Sequence, residues 1–408
     1  MARQTDVLVV GGGATGVGIV RDLALRDVDV TLVERGGLSA GTSGRSHGLL
    51  HSGARYAESD QSGAAECIEE NRILRDIAGA SIRDTGGLFV QLDADDPAYF
   101  ERKRRACEDV GIPTDVIDGA AARELVPDLA DTVERVMEVP DAVVYPSRLV
   151  AANAVDARDH GANVLTHAPV EGVRVERGSV VAVTVGGRVD DTIEPSCVVN
   201  AAGAWAGEIA AMAGLDVRMC PTKGVMVSVE YDGLDPVLNR CRPPSDGDIV
   251  LPHDGEVVLG TTSEAVGDPD EYSQTDAEIE RVVAECAEML PAVAEATQRR
   301  TWWGVRPLYE PDEVDREERA ISRDFVLLDH AEDGVENAAA IVGGKLTTYR
   351  QMAEATADLV CDRLGVDAVC RTADEQLPGS DDPDRLDEFV AEFDGQGPSD
   401  EDVVSGRS

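Results

Sequence analysis

Gly11, Gly13 and Gly16 stand in G-x-G-x-x-G spacing directly after the apolar run Asp6-Val7-Leu8-Val9-Val10. Glu34 follows the motif by about twenty residues. This combination can cradle a dinucleotide. The glycines permit a tight turn and let the backbone approach a pyrophosphate, which would rest on the positive end of the next helix. A carboxylate ending the second strand can accept both ribose hydroxyls, and it repels a 2′-phosphate. NADP is therefore disfavoured, while FAD and NAD stay open on this motif. An ordinary Gly-rich turn is the bland alternative, disfavoured because strand, turn, helix and terminal acid fall in register. The helix is read from Val17, Val20, Leu23 and Ala24, and the second strand from Val28, Val30, Leu32 and Val33.

Two further segments favour FAD. Val198-Val199-Asn200-Ala201-Ala202-Gly203-Ala204-Trp205 reads as an apolar strand ending in small residues, suited to close packing against a flat cofactor. Gly343-Gly344-Lys345-Leu346-Thr347-Thr348-Tyr349-Arg350 reads as a second Gly-rich loop opening a helix. A helix N-terminus near the pyrimidine edge of a flavin would stabilise the negative charge of the reduced ring. These strand–helix segments lie at the start, middle and end of the chain. The expected nucleotide-binding domain is accordingly discontinuous, over 1–85, 145–210 and 340–366. Residues 86–144 and 211–339 are expected to form a sheet-containing substrate domain, and 367–408 an acidic, partly mobile tail.

With 408 residues and 43% hydrophobic content, the chain is long enough for two cores. Asp and Glu number 79 against 37 Lys and Arg, a formal charge of −42. Such an excess repels nucleic acid and anionic membrane, and its even spread fits a protein working in strong salt. Lys occurs only at 103, 223 and 345, so those positions are expected to serve something other than solubility. The eight Cys residues form no C-x-x-C pair, which argues against a metal or iron–sulfur site within this chain. No apolar run is long enough to span a membrane, so direct membrane insertion is not expected. The expected compartment is the reducing cytoplasm, at the inner face of the cell membrane where partner subunits anchor the chain there.

The stretch from Thr42 to Tyr56, with His47, His51 and Arg55, resembles the signature loop of FAD-dependent glycerol-3-phosphate dehydrogenases. Gly304-Val305-Arg306-Pro307-Leu308, Gly260-Thr261-Thr262 and the 343–350 segment resemble that family too. The His47–Tyr56 wording and Asn239-Arg240-Cys241-Arg242-Pro243-Pro244-Ser245-Asp246 are most similar to the large catalytic subunit of the anaerobic, multisubunit type. The resemblance covers about residues 5–380. It implies the α/β fold of the glycine and D-amino-acid oxidase superfamily: a Rossmann-like FAD-binding domain with a second, sheet-containing substrate domain. It also implies a small phosphorylated polyol as substrate, FAD as cofactor, and electron-transfer subunits as partners. Relatives of this type continue into a Cys-containing C-terminal region. This sequence ends at Ser408 before it, so a truncated chain is expected.

Oxidising a secondary alcohol removes a hydride from carbon and a proton from the hydroxyl, and a phosphate dianion calls for several cations. On the resemblance, Arg55, Arg306 and Lys345 bind substrate, with Tyr56 and Thr262 lining the pocket. His51 is the candidate base, because neutral imidazole takes a proton near neutral pH, with Arg306 able to share that role. A histidine that only hydrogen-bonds flavin or substrate is the alternative. Expected cofactor contacts are Gly11, Gly13, Gly16, Glu34, Arg35, Ser43, Gly44, Gly203, Gly344, Leu346 and Thr347, the later ones resting on the resemblance. Trp302 and Trp303 are read as core. Two rivals share the fold: a flavin oxidase or dehydrogenase of an amino or hydroxy acid, and an FAD-bound electron-transfer protein inactive alone.

Overall fold

Val7, Leu8 and Val9 are wholly buried, so the opening strand Arg3–Val10 is covered on both faces, as parallel strands are. The computed structural model describes residues 3–253, 255–309, 324–395 and 397–398. The opening strand pairs in parallel with Val30–Val33 on one side and Asp191–Asn200 on the other. Asn163–Leu165 and Ala338–Gly343 extend the parallel run at its two flanks. Val170–Glu176 and Ser179–Val185 add an antiparallel hairpin to this eight-stranded sheet. Helices Ala14–Leu25, Pro146–Asp159 and Tyr349–Leu364 bury Val17, Leu23, Leu149 and Ala353 in one core against it.

A second, nine-stranded sheet carries Gly87–Leu92, Val133–Val139, Thr222–Glu230, Glu256–Gly260 and Gln298–Arg306 among its strands. Helix Asp276–Ala287 closes its face with Val282 and Cys286, and starts at a capping box between Thr275 and Glu278. Trp302 and Trp303 are buried on the long strand beside it. Among the described residues, no helix is long and apolar enough to cross a membrane.

Two stretches depart from the domain boundaries expected above. The expected substrate domain includes residues 324–339, but Phe325–Asp329 pairs antiparallel with Ala338–Gly343 and joins the nucleotide sheet. A short connection returns the chain beside its own next strand, and such neighbours in sequence usually pair. The expected acidic, partly mobile tail begins at 367, yet helix Pro383–Glu392 buries Leu386, Phe389 and Val390 in the first core. Arg148 also grips Asp387 with two bonds of 2.7 and 3.1 Å. Apolar residues three and four apart outweigh the acidic composition around them. Residues 396 and 399–408 lie outside the described residues. Phe389→Ala is expected to cost about 3–5 kcal/mol, the usual range for emptying a buried phenyl site. The readout is the urea midpoint of the flavin-loaded protein; an unmoved midpoint would remove this helix from the core.

Candidate active site

The turn after the opening strand is shaped by its glycines. Gly11 has φ +115°, and an added Cβ would stand 2.5 Å from the Ala201 carbonyl oxygen. Gly13 is the extended N-cap of helix Ala14–Leu25, whose first turn carries no acidic side chain. Its positive end therefore stays uncompensated by the helix itself. Gly16 does not face the cavity described below; a Cβ there would overlap the Gly11 carbonyl oxygen, so its smallness lets helix and turn pack. The Ser43 hydroxyl accepts the Ala14 N–H at 3.0 Å. Glu34 accepts the N–H groups of Gly12 and Gly36 at 2.7 and 2.8 Å. An ionised carboxylate has about four acceptor positions, so Glu34 keeps capacity for ribose hydroxyls. Arg35 is exposed; it forks onto Asp270 at 2.9 and 3.0 Å and lies 4.2 Å from the centre of the Trp205 ring.

One cavity of ≈ 750 Å³ runs from this turn, past Ala201, Ala202 and Gly203, to Arg306 and to Gly344, Lys345 and Leu346. Glu34, Arg35, Ser43, His47, His51 and Tyr56 line it as well. At its far end the Tyr56 hydroxyl lies 3.4 Å from His51 Nε2. With Nε2 unprotonated, the tyrosine donates to it. Lys345 Nζ sits 4.9 Å from the Tyr56 ring centre, with its side chain only 5% exposed. Among the described residues, the nearest carboxylates to that ammonium are Asp324 and Asp60, at 3.9 and 4.0 Å, the limit of ion pairing. Arg306 donates through Nη2 to the Thr262 carbonyl at 3.0 Å and through Nη1 to the Lys223 carbonyl at 3.4 Å.

The structure thus puts His51, Tyr56, Arg306 and Lys345 on the wall of one cavity, with Tyr56 in contact with both Lys345 and His51. It places four other expected residues off the cavity wall. Arg55 is drawn to the buried Asp248 at 3.2 Å, a carboxylate that also holds Arg242 at 2.9 Å. Thr262 is wholly buried, its hydroxyl accepting the Val225 N–H at 3.1 Å and donating to Glu278 at 3.3 Å. Gly44 donates its N–H to the Ser39 carbonyl, which closes the turn beneath Ser43. Thr347 is buried and accepts the His51 N–H at 3.0 Å, so it orients the histidine from behind.

Sequence reasoning missed the groups that hold this machinery. Asp141, 2% exposed, accepts the Ser52 N–H at 2.7 Å and the Asn239 amide at 3.1 Å, and burial pushes its carboxyl above the usual range. Asn71 donates to the His51 carbonyl at 3.2 Å. Lys103 donates to the carbonyls of Ala54 and Arg55 at 3.1 and 3.2 Å. Arg45, inside the signature stretch but not singled out, lines the cavity. Only the scarcity of lysine offered a signal for any of them.

Residues 6–359 match the model of the FAD dependent oxidoreductase family. The chain belongs to this family. It is 50% identical to an anaerobic glycerol-3-phosphate dehydrogenase subunit of Haloferax volcanii, covering 96% of this chain and 70% of that one. It is 44% identical to the like-named subunit of Escherichia coli (strain K12), over 94% of this chain and 71% of that one. The solved glycine oxidase of Geobacillus kaustophilus superposes with a TM-score of 0.73 at 21% identity, covering 92% of this chain and 98% of that one. That last likeness speaks to the fold alone. FAD is therefore the family cofactor of this chain, and the residues fit it. The cavity volume falls within the range of cofactor clefts, about 300–1,000 Å³. A Cβ at Gly203 would meet only Thr42 Oγ1, at 4.0 Å, so the wall leaves room there for a flat ring system. The bare helix end and Glu34 supply the donors and acceptor that a pyrophosphate and a ribose need.

Proposed function

We propose that this chain oxidises sn-glycerol 3-phosphate to dihydroxyacetone phosphate. The observation that carries the reading is that Arg306 and Lys345 line the same cofactor cavity as the His51–Tyr56 pair, with Lys345 over the Tyr56 ring. In a chain of net charge −42, two cations on the wall of one cavity with an imidazole are suited to a phosphate dianion. The names of the Haloferax and Escherichia coli relatives support the same substrate.

FAD, when bound, would supply the acceptor for the hydride from C2, which carries both electrons. The protein does the rest. Arg306 and Lys345 bind the phosphate and so place the far end of the substrate. Tyr56, stacked under the Lys345 ammonium, orients His51. The C2 hydroxyl takes the place of the Tyr56 hydroxyl at the single Nε2 lone pair of neutral His51, which accepts its proton there. Thr347 and Asn71 hold the histidine backbone from both sides. Electrons then pass to a partner or a quinone. We place the chain in the cytoplasm, held at the inner face of the membrane by partner subunits, a reading supported by relatives that are named as subunits.

Anaerobic addition of glycerol 3-phosphate is expected to bleach the flavin, with inorganic phosphate competing. A flavin that stays yellow with this substrate but bleaches with an amino acid sinks the reading. His51→Gln is expected to lower the rate of flavin reduction by about 10²–10⁴-fold, the usual worth of a placed general base, and to flatten the acid limb of the pH–rate profile. A variant that keeps that limb would move the proton acceptor to another group.

A further inference from the structure

The chain holds three lysines, and all are buried: Lys103 and Lys223 are each 2% exposed, and the Lys345 side chain is 5% exposed. A protein that uses arginine for nearly all its positive charge keeps its lysines inside. Lys345 faces the cavity and Lys103 holds backbone beside Arg55, which leaves Lys223 to be explained. Its ammonium donates to Glu278 Oε2 at 2.8 Å and to the Ser273 carbonyl at 2.6 Å, with Glu264 at 3.3 Å. Glu278 is itself 1% exposed. Burial works against the ammonium, but hydrogen bonds with Glu278 and Glu264 outweigh it and hold Lys223 above the ordinary lysine value. Burial likewise opposes the Glu278 carboxylate, and its bonds with Lys223 and Thr275 hold it below the usual range. Both groups are charged at neutral pH.

We propose that the Lys223–Glu278 pair is a positioning device for Arg306. The proposal rests on the reading of Arg306 as a substrate cation. One carboxylate grips both residues whose main chain holds that arginine: Oε2 takes the Lys223 ammonium and Oε1 takes the Thr262 hydroxyl at 3.3 Å. The carbonyls of those two residues, Lys223 and Thr262, receive Arg306 Nη1 and Nη2. Strand register reinforces the link, because Thr222 stands opposite Arg306 and Lys223 opposite both Val305 and Glu264. An ion pair this deep is a weak source of stability compared with an apolar pair of similar volume. Its distinct physical effect is to fix two carbonyl groups, and through them the guanidinium.

The test is the double variant Lys223→Met/Glu278→Leu, which removes both charges together and leaves no lone buried ion. Flavin content, kcat and KM for glycerol 3-phosphate are measured in the wild-type and Arg306→Ala backgrounds. With Arg306 present, KM is expected to rise about tenfold or more, since misplacing a positioning group by about 1 Å can cost a hundredfold. Flavin content should hold and kcat should fall by less than about threefold, because binding rather than the reacting end is disturbed. Without Arg306, the same pair of changes should leave KM unmoved. An unchanged KM in the first background, or an equal rise in both, overturns the proposal. Should the double variant not fold, Glu278→Gln is read in the same way. Failure of glycerol 3-phosphate to reduce the wild-type flavin would count against the substrate reading instead, and is seen separately.

Discussion

Arg306→Ala and Lys345→Ala proteins are expected to emerge yellow, with full FAD, and to bind glycerol 3-phosphate poorly. Truncating one member of a desolvated, hydrogen-bonded charge pair costs about 2–5 kcal/mol, which is ~30-fold to ~5,000-fold in affinity. The larger loss is expected for Lys345→Ala. Its ammonium is shielded from solvent and stands over the Tyr56 ring. Among the described residues its nearest carboxylate is 3.9 Å away, so a phosphate would be its strongest partner. Arg306 already spends donors on the carbonyls of Lys223 and Thr262, which orient it. Steady-state KM and the flavin-to-protein absorbance ratio check both variants. Normal affinity in the two together would remove the phosphate clamp.

Gly16→Val is expected to abolish flavin binding without touching any cofactor contact. The position faces the turn rather than the cavity, and even a first side-chain carbon would meet the Gly11 carbonyl oxygen. Backbone cannot swing aside as a side-chain end can, so the helix must move off the turn. That shift takes the Ala14 N–H away from Ser43 and the Gly12 N–H away from Glu34, and dismantles the cradle. Overpacking of this kind costs about 1–3 kcal/mol or more in a filled interior. Gly172→Ala is the control, because nothing lies within 4 Å of a Cβ built there. Flavin content after gel filtration separates the two; a Gly16→Val protein that stays fully loaded would show that turn and helix are not rigidly coupled.

The expected residues that do line the cavity fall mostly in short stretches whose neighbours in the chain are also their neighbours in space. The glycine turn, Glu34 and the His51–Tyr56 segment all fall in this class. Arg55 and Tyr56 illustrate where such reading stops. They are adjacent, yet Tyr56 lines the cavity and Arg55 turns to Asp248, nearly two hundred positions away. Thr262 reads as pocket wall on its wording and proves to be a buried link to Glu278. In both cases a distant carboxylate decides the direction of the side chain. The helix Pro383–Glu392 is hidden in another way, since its acidic surroundings mask apolar residues spaced to dock on Pro146–Asp159.

By itself the sequence determined the dinucleotide turn, the family, the class of cofactor and the anomalous charge. The turn and the charge follow from backbone sterics over a few consecutive residues and from composition, and the family and cofactor from the resemblance of short motifs, none of which depends on partners elsewhere. Only the tertiary structure decided which cations face the cavity, which residues hold them from behind, and where 324–339 and the last helix belong. The physical reason is that strand register and buried ion pairs set side-chain direction, and both are contracts between residues far apart in the chain.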